Sequence, residues 1–384
     1  MNNFSEYEKI PQSFKSLNLD EKAFQELEKV KWVVMEKIHG ANFSFIYELN
    51  NNQNKNKNSN NYQQNYQLSF AKRKEVLSWN DDFFAFQLLV NQIEDKILLL
   101  FEELNQNISK EIIKEINKNN NKEFSNNTTI FVKKYIIFGE LFGGEYPHEA
   151  VPKNPKLDAI QTGVYYSNNI GFYAFDIAFE IENQQERIYL DYEKALYYFE
   201  KYGLFCAKPL FIGKLNEALA FNTRINSTIP ALLGLPLLEN NLIEGVVLKP
   251  FHQPNAKIIQ FRPIIKIKNK EFDEKIIFHQ AKKWSYTPET TLLSKSVELS
   301  FLVDEIAQYI NQNRLNSVLS KIGKLDKNNI LRMESIKTEF LRDILADFDE
   351  DTNNMFLELQ QTQKQWLKDR LNAKINDFLE NLIT

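Results

Sequence analysis

Hydrophobic and polar positions follow two different periods along this chain. As far as Lys268 the apolar residues come in short runs. Val33-Val34-Met35 and Phe43-Ser44-Phe45-Ile46-Tyr47 predict two strands on either side of a turn at His39-Gly40-Ala41. Residues 130–138, 171–181, 243–248 and 258–267 are β-branched and aromatic runs, which predict further strands of an antiparallel or mixed sheet. Between them, residues 81–104 open on two aspartates and then repeat apolar residues at helical spacing. Residues 191–202, followed by Gly203, predict a capped helix with a glycine stop.

After Lys268 the period changes. Leu299, Leu302, Ile306 and Ile310 form one apolar stripe, and Ile330, Met333, Ile336, Phe340, Ile344 and Phe348 a second. Phe356, Leu359, Trp366, Leu371, Ile375, Phe378 and Leu382 form a third, so the tail reads as packed helices. The expected class is α+β. Antiparallel sheets with flanking helices fill residues 1–284, and an all-α domain fills 285–384, with the boundary near Ser285–Glu289. The acidic stretch Asp347–Asp351 reads as a solvated helix end.

Composition sharpens this division. The last of the 11 prolines is Pro288, and Gly323 is the one glycine beyond it, as a helical tail requires. Residues 50–66 hold nine Asn and three Gln in seventeen positions, and 117–127 are similar, which predicts solvated loop insertions. Thirty Phe and 16 Tyr exclude a disordered chain. The single cysteine, Cys206, excludes an internal disulfide and a multi-cysteine zinc site. With no apolar signal region at the N-terminus and no membrane-length apolar run, the expected compartment is a reducing cytoplasm. Net charge is −4, so any nucleic-acid binding must come from local patches.

Five strings carry candidate chemistry. Glu36-Lys37-Ile38-His39-Gly40-Ala41-Asn42 sets a lysine at a strand–turn junction. A lysine amine is normally protonated at neutral pH; burial and nearby cations can make one nucleophilic. Phe138-Gly139-Glu140-Leu141-Phe142-Gly143-Gly144 sets a carboxylate between glycines. Gly171-Phe172-Tyr173-Ala174-Phe175-Asp176 is an aromatic strand, and Glu244-Gly245-Val246-Val247-Leu248-Lys249 pairs an acid with a lysine. Ile265-Lys266-Ile267-Lys268 places two lysines on one strand face, where a polyanion opposite would relieve their repulsion.

In this order the strings resemble the covalent nucleotidyltransferases, and within them the RNA ligase 2 family, which includes the phage enzyme and the RNA-editing ligases. Lys37-Ile38-His39-Gly40 in place of Lys-x-Asp-Gly carries that distinction. The resemblance covers roughly residues 1–284 as motifs, and a helical C-terminal domain of about this size also matches the family. It implies an adenylyltransferase domain joined to an RNA-binding one, and an ATP-dependent RNA ligase acting in three steps. Lys37 takes AMP from ATP, AMP passes to an RNA 5′-phosphate, and the 3′-hydroxyl then attacks to seal a nick in duplex RNA.

The same resemblance implies roles. Lys266 and Lys268 neutralise the α-phosphate, and Glu244 holds Mg²⁺ or Mn²⁺ directly or through water. Glu140 accepts from a ribose hydroxyl, and Phe175 stacks on adenine with Phe172 as its competitor. Arg73, with Asn42, meets the ribose or the 5′-phosphate; Glu36 borders the adenine; Lys249 contacts phosphate. Two rivals remain. A DNA ligase or capping-type enzyme would append a β-rich barrel, which the helical tail opposes. A non-catalytic nucleic-acid-binding protein on the same scaffold would have no need to keep Lys37, Glu244, Lys266 and Lys268 together.

Overall fold

The computed structural model describes residues 6–17, 19–49, 66–120, 132–182, 187–254, 258–259, 261–272, 302–352 and 354–383. The first Asn-rich tract at 50–65, positions 121–127 of the second, Leu299 and the expected boundary near 285–289 lie outside them. The chain divides into two compact units, Met1–Asn269 and Lys270–Thr384.

Among its described residues the first unit carries ten strands: β1 (Trp32–Lys37), β2 (Ala41–Leu49), β3 (Tyr66–Lys72), β4 (Val76–Leu77), β5 (Val132–Glu145), β6 (Ser167–Ile181), β7 (Ile188–Tyr189), β8 (Pro209–Gly213), β9 (Gly245–Pro250) and β10 (Ile265–Lys268). They form two antiparallel sheets, ordered β10-β9-β1-β8 and β4-β3-β2-β5-β6-β7. The strands expected around His39-Gly40-Ala41 are both present, in different sheets. The turn between them therefore carries the chain from one sheet to the other. β1 is central in its sheet, and its residues from Trp32 to Glu36 are all buried, which is why it reads as a continuous apolar run.

β2 alternates instead. Phe43 and Phe45 enter a core shared with Phe86, Phe101 and Leu104 of helix α1 (Phe86–Asn120). That helix starts later than its periodicity predicts. The Asp81 carboxylate accepts from the Ser78 N–H at 2.8 Å, and Phe84 and Ala85 take φ of 51° and 52°, so the chain turns before it winds. It also runs on to Asn120, so positions 117–120 of the second Asn-rich tract are helical and not loop. The expected strand over 258–267 shortens to β10.

Strand β6 contains a bulge that matters for the site. Phe138 pairs with Asp176 but Gly139 pairs with Ala174, which leaves Phe175 as the extra residue. Before the bulge Phe172 and Ala174 face the core; after it Ile177 and Phe179 do.

The second unit is helical, with helices over 302–307, Gln312–Ile322, Ile330–Asp351, Met355–Glu358 and Gln361–Ile383. Residues of all three predicted stripes meet in one core, including Leu302, Ile306, Ile336, Phe340, Leu371 and Ile375. Gly323 ends its helix at φ 121°, its N–H donating to the Leu319 carbonyl at 2.8 Å. The acidic stretch is not a solvated end. Asp349 is buried and accepts from the Phe356 N–H at 2.7 Å, and Asp347 pairs with the fully buried Arg314.

Candidate active site

Three adjacent strands assemble the cluster around Glu244. Lys37 at the end of β1 and Lys268 at the end of β10 both lie opposite Gly245, the first residue of the central β9. Gly245 has φ 155°, and a Cβ there would stand 2.0 Å from the Ile267 carbonyl oxygen. Only glycine lets β10 approach this closely. Glu244, one residue earlier, is thereby delivered between the two lysines.

Its carboxylate is 2% exposed. Oε2 lies 2.6 Å from Lys37 Nζ and 3.3 Å from His39 Nδ1, and Oε1 lies 3.1 Å from Lys268 Nζ. Burial works against the charge, yet Lys37, Lys268 and His39 hold the Glu244 carboxyl well below its ordinary range. The turn is pinned from outside as well. The His39 N–H donates at 2.8 Å to the hydroxyl of Tyr166, which is itself buried. No sequence pattern singled out Tyr166, because a lone buried tyrosine before a strand has no signature.

Lys37 has two acceptors here, Glu244 and the Ile38 carbonyl at 3.3 Å. Lys266 sits on the same face of β10 as Lys268, half-buried, with its N–H donating to the Pro11 carbonyl at 2.9 Å.

The second sheet supplies a further group. Asn42 on β2 lies directly opposite Glu140 on β5. Asn42 Nδ2 donates to the Gly139 carbonyl at 3.4 Å and its side chain also hydrogen-bonds Glu140. Burial pushes the Glu140 carboxyl up to about 7; Glu244 adds to this, while Lys37, Arg73 and Asn42 oppose it. Glu140 and Arg73 are thus within electrostatic reach of the Lys37 cluster. Arg73, in the turn after β3, has Nε 3.9 Å from Glu6.

Other expected residues go elsewhere. Alternate strand residues point to opposite faces, so Glu36 leaves the side that Lys37 takes. Its buried carboxylate accepts from Ser227 Oγ at 2.6 Å and from the Thr228 N–H at 2.9 Å. Burial raises its pKa despite those donors. Phe172 belongs to the core, edge-on to Phe45 with ring centroids 5.1 Å apart. Phe175 is half-buried on the other face, 5.2 Å from the Tyr7 ring.

Lys249 is not brought to Glu244 but to Asp176, at 2.7 Å, and it also donates to the Phe175 carbonyl at 2.9 Å. Asp176 in turn accepts from Tyr7 Oη and from Arg262, each at 2.6 Å. Burial opposes ionisation of Asp176, but Arg262 and Lys249 win and bring its pKa to about 2. Neither Tyr7 nor Arg262 was legible in the sequence. Tyr7 reaches this bridge between the sheets from a segment without strand pattern, and Arg262 from the part of the expected 258–267 strand that precedes β10.

Among the described residues, no three His, Cys, Asp or Glu side chains converge as a metal cage. Glu244 among cations suits an anionic, phosphate-bearing substrate; it takes a hydrated divalent ion, which needs few protein ligands, only on releasing one of these cations.

One antiparallel sheet that carries the Lys37–Glu244–Lys268 cluster, with Glu140 of the second sheet within electrostatic reach, defines a mixed helix-and-sheet enzyme that handles anionic substrates. The chain belongs to the RNA ligase family, whose model matches residues 30–268; the model for the T4 RNA ligase 2 C-terminal region matches residues 293–377. It is 27% identical over 358 residues to the mitochondrial RNA-editing ligase 2 of Trypanosoma brucei brucei (strain 927/4 GUTat10.1), covering 84% of this chain and 77% of that protein. It is 27% identical over 371 residues to the mitochondrial RNA-editing ligase 1 of the same organism, covering 85% and 72%. A solved archaeal ATP-dependent RNA ligase aligns with 98% of this chain and 65% of its own, at 14% identity and a TM-score of 0.34. A Naegleria gruberi RNA ligase variant solved with ATP and Mn aligns with 71% of this chain and 57% of its own, at 15% identity and a TM-score of 0.40. The chain thus spans less than two thirds of each of these two solved proteins. No helix among the described residues is long and apolar enough to cross a membrane.

Proposed function

We propose that the chain is an ATP-dependent RNA ligase that seals 3′-hydroxyl/5′-phosphate nicks in duplex RNA, with Lys37 as the nucleophile. The observation that supports this most is the Lys37–Glu244–Lys268 cluster, reached from three strands and set beside Glu140, Asn42 and Arg73. Lys37 attacks the α-phosphorus of ATP and pyrophosphate leaves. The AMP then moves to the RNA 5′-phosphate, and the 3′-hydroxyl displaces it.

The amine attacks through a lone pair that carries no proton, so its proton passes to solvent before attack, and Lys37 Nζ turns from Glu244, 2.6 Å away, toward the α-phosphorus. Lys268 already holds the other oxygen. Glu244 would hold a divalent ion, Mg²⁺ or Mn²⁺, and the ion would supply charge neutralisation at the reacting phosphate. Lys266 and Lys268 act on the same phosphate oxygens. Glu140 and Asn42 hold the ribose with Arg73, and Phe175 supplies the stacking face for adenine. Lys249, bonded to the Phe175 carbonyl, contacts nucleotide only if it leaves Asp176. The Glu36 backbone is left to border the base. A reducing intracellular compartment suits the buried Cys206.

The test is intact mass after pyrophosphate stripping and then incubation with ATP and Mg²⁺. One AMP per chain is expected, absent in Lys37→Ala and absent when EDTA replaces Mg²⁺. A wild-type chain that gains no AMP would sink the reading, and an adduct on Lys37→Ala would move the nucleophile elsewhere. Sealing assays on nicked RNA/RNA, RNA/DNA and DNA/DNA duplexes decide the substrate.

A further inference from the structure

The turn after Lys37 belongs to neither sheet. Ladder pairing on β1 ends at Lys37, opposite Gly245, and on β2 begins at Ala41, opposite Leu141. Among the described residues, Ile38, His39 and Gly40 pair with no strand, so their backbone groups need partners from elsewhere. The Ile38 carbonyl accepts from Lys37 Nζ at 3.3 Å. The next two ties come from a single segment, the chain that leads into β6. The His39 N–H donates to Tyr166 Oη at 2.8 Å, and Gln161 Nε2 donates to the Gly40 carbonyl at 3.5 Å.

That segment is itself fixed. Tyr166 is 1% exposed and stands edge-on to Phe142, with ring centroids 5.6 Å apart. One residue earlier, the Asn241 side chain takes both backbone groups of Tyr165. Its Oδ1 accepts from the Tyr165 N–H at 2.9 Å, and its Nδ2 donates to the Tyr165 carbonyl at 2.7 Å. Burial, and then the Glu36 carboxylate, raises the pKa of Tyr166, so its hydroxyl stays neutral. On the far side the turn has no slack: a Cβ on Gly40 would stand 2.1 Å from the Leu141 carbonyl oxygen. The turn is therefore held between the Leu141 backbone and the Tyr166 hydroxyl.

We propose that Tyr166 is a positioning residue for the first chemical step. Its hydroxyl, helped by Gln161, fixes the turn so that Lys37 Nζ swings from Glu244 to the α-phosphorus and to no other place. In that step the neutral amine forms the N–P bond and the P–O bond to pyrophosphate breaks with its electron pair. The nitrogen then sheds one proton to solvent. A misplacement of about 1 Å in such an attack costs on the order of 100-fold. Tyr166 touches the backbone two residues from Lys37 and needs no contact with substrate. In the final sealing step the 3′-hydroxyl is the nucleophile, so the same hold on Lys37 matters far less there. This assignment rests on the reading of Lys37 as the nucleophile.

Single-turnover kinetics on the full chain test it, with ATP and Mg²⁺ after pyrophosphate stripping and the AMP adduct read by intact mass. Tyr166→Phe keeps the ring and removes only the acceptor. It is expected to melt within about 5 °C of wild type, the loss of one buried hydrogen bond. Its maximal rate of adduct formation should fall at least about tenfold, at a half-saturating ATP concentration within about twofold of wild type. Sealing of a nicked duplex that already carries the 5′-adenylyl group should stay within about twofold of wild type. Gln161→Met removes the weaker tie at similar length. It should show the same pattern with a smaller loss, and it decides the question if Tyr166→Phe does not fold. Adduct rates equal to wild type in the folded variants would overturn the assignment. So would equal losses in adduct formation and in sealing, which mark a general distortion of the site, or a loss carried by ATP affinity. A wild-type chain that gains no AMP would overturn the ligase reading and this assignment with it. A wild-type chain that gains AMP at the rate of its variants would overturn the assignment alone.

Discussion

Glu140 and Glu244 are the same residue type with opposite perturbations. Glu244 is surrounded by cations and stays ionised; Glu140 is half-buried near it, and desolvation pushes its carboxyl up to about 7. The consequence for stability follows from the sign of the Glu140 shift. Its folded pKa exceeds the unfolded one, so between the two values the folded state binds more protons. Stability therefore falls as pH rises from about 4.5 towards about 7 and stays lower above that. Glu140→Gln removes this loss. The variant should gain on the order of 1–3 kcal/mol relative to wild type between about pH 5 and about pH 8. It should also bind ATP more weakly, having lost the charged acceptor. Thermal melts across that pH range check the first effect. A stability difference that does not change with pH would mean that Glu140 ionises like an ordinary surface acid.

At the scale of elements, the bulge in β6 separates two phenylalanines that the sequence left as competitors. Phe172 is 4% exposed among Phe43, Phe45 and helix α1, so Phe172→Ala should cost about 3–5 kcal/mol in denaturant unfolding. Phe175→Ala removes a half-buried ring from the edge of the smaller cluster around Tyr7 and Phe138. It should unfold at nearly the wild-type denaturant concentration and lose affinity for ATP by about 1–3 kcal/mol, the scale of a lost base stack. If calorimetry gives the two variants equal ATP affinity and unequal stability, Phe175 is not the stacking ring. The same contrast shows what was legible beforehand. Lys37, Glu244, Lys266 and Lys268 stood in short strings whose alternation already set their strand faces. The partners of Lys249 did not, because Asp176, Arg262 and Tyr7 meet only when two sheets close on one another. The start of helix α1 was misplaced for a local reason: Asp81 closes a turn with Ser78 before the helical period begins. The sheet order was not legible either, since nothing in the turn at His39-Gly40-Ala41 says that its two strands part.

For the molecule as a whole, the question is whether chemistry and RNA holding can be cut apart. Among the described residues, the cores around both sheets draw on residues before 270 and the helical core on residues after 301. Asn269 closes the first unit. Its N–H donates to the Glu244 carbonyl at 2.8 Å, and its side chain donates to the carbonyls of Thr223 and Ile243, each at 2.9 Å. A chain ending at Asn269 keeps these bonds and with them the position of Glu244 beside Lys37. It should unfold in one transition and still gain one AMP per chain. On the reading that the helical unit contacts RNA phosphates, it should seal nicked RNA more slowly than the full chain, on the order of tenfold or more, and respond less to salt. Sealing rates of the two chains at matched adduct levels, measured over a salt series, check this. Equal rates would assign RNA holding to the sheets themselves. A truncated chain that folds but gains no AMP would mean that residues after 269 take part in the chemistry of Lys37.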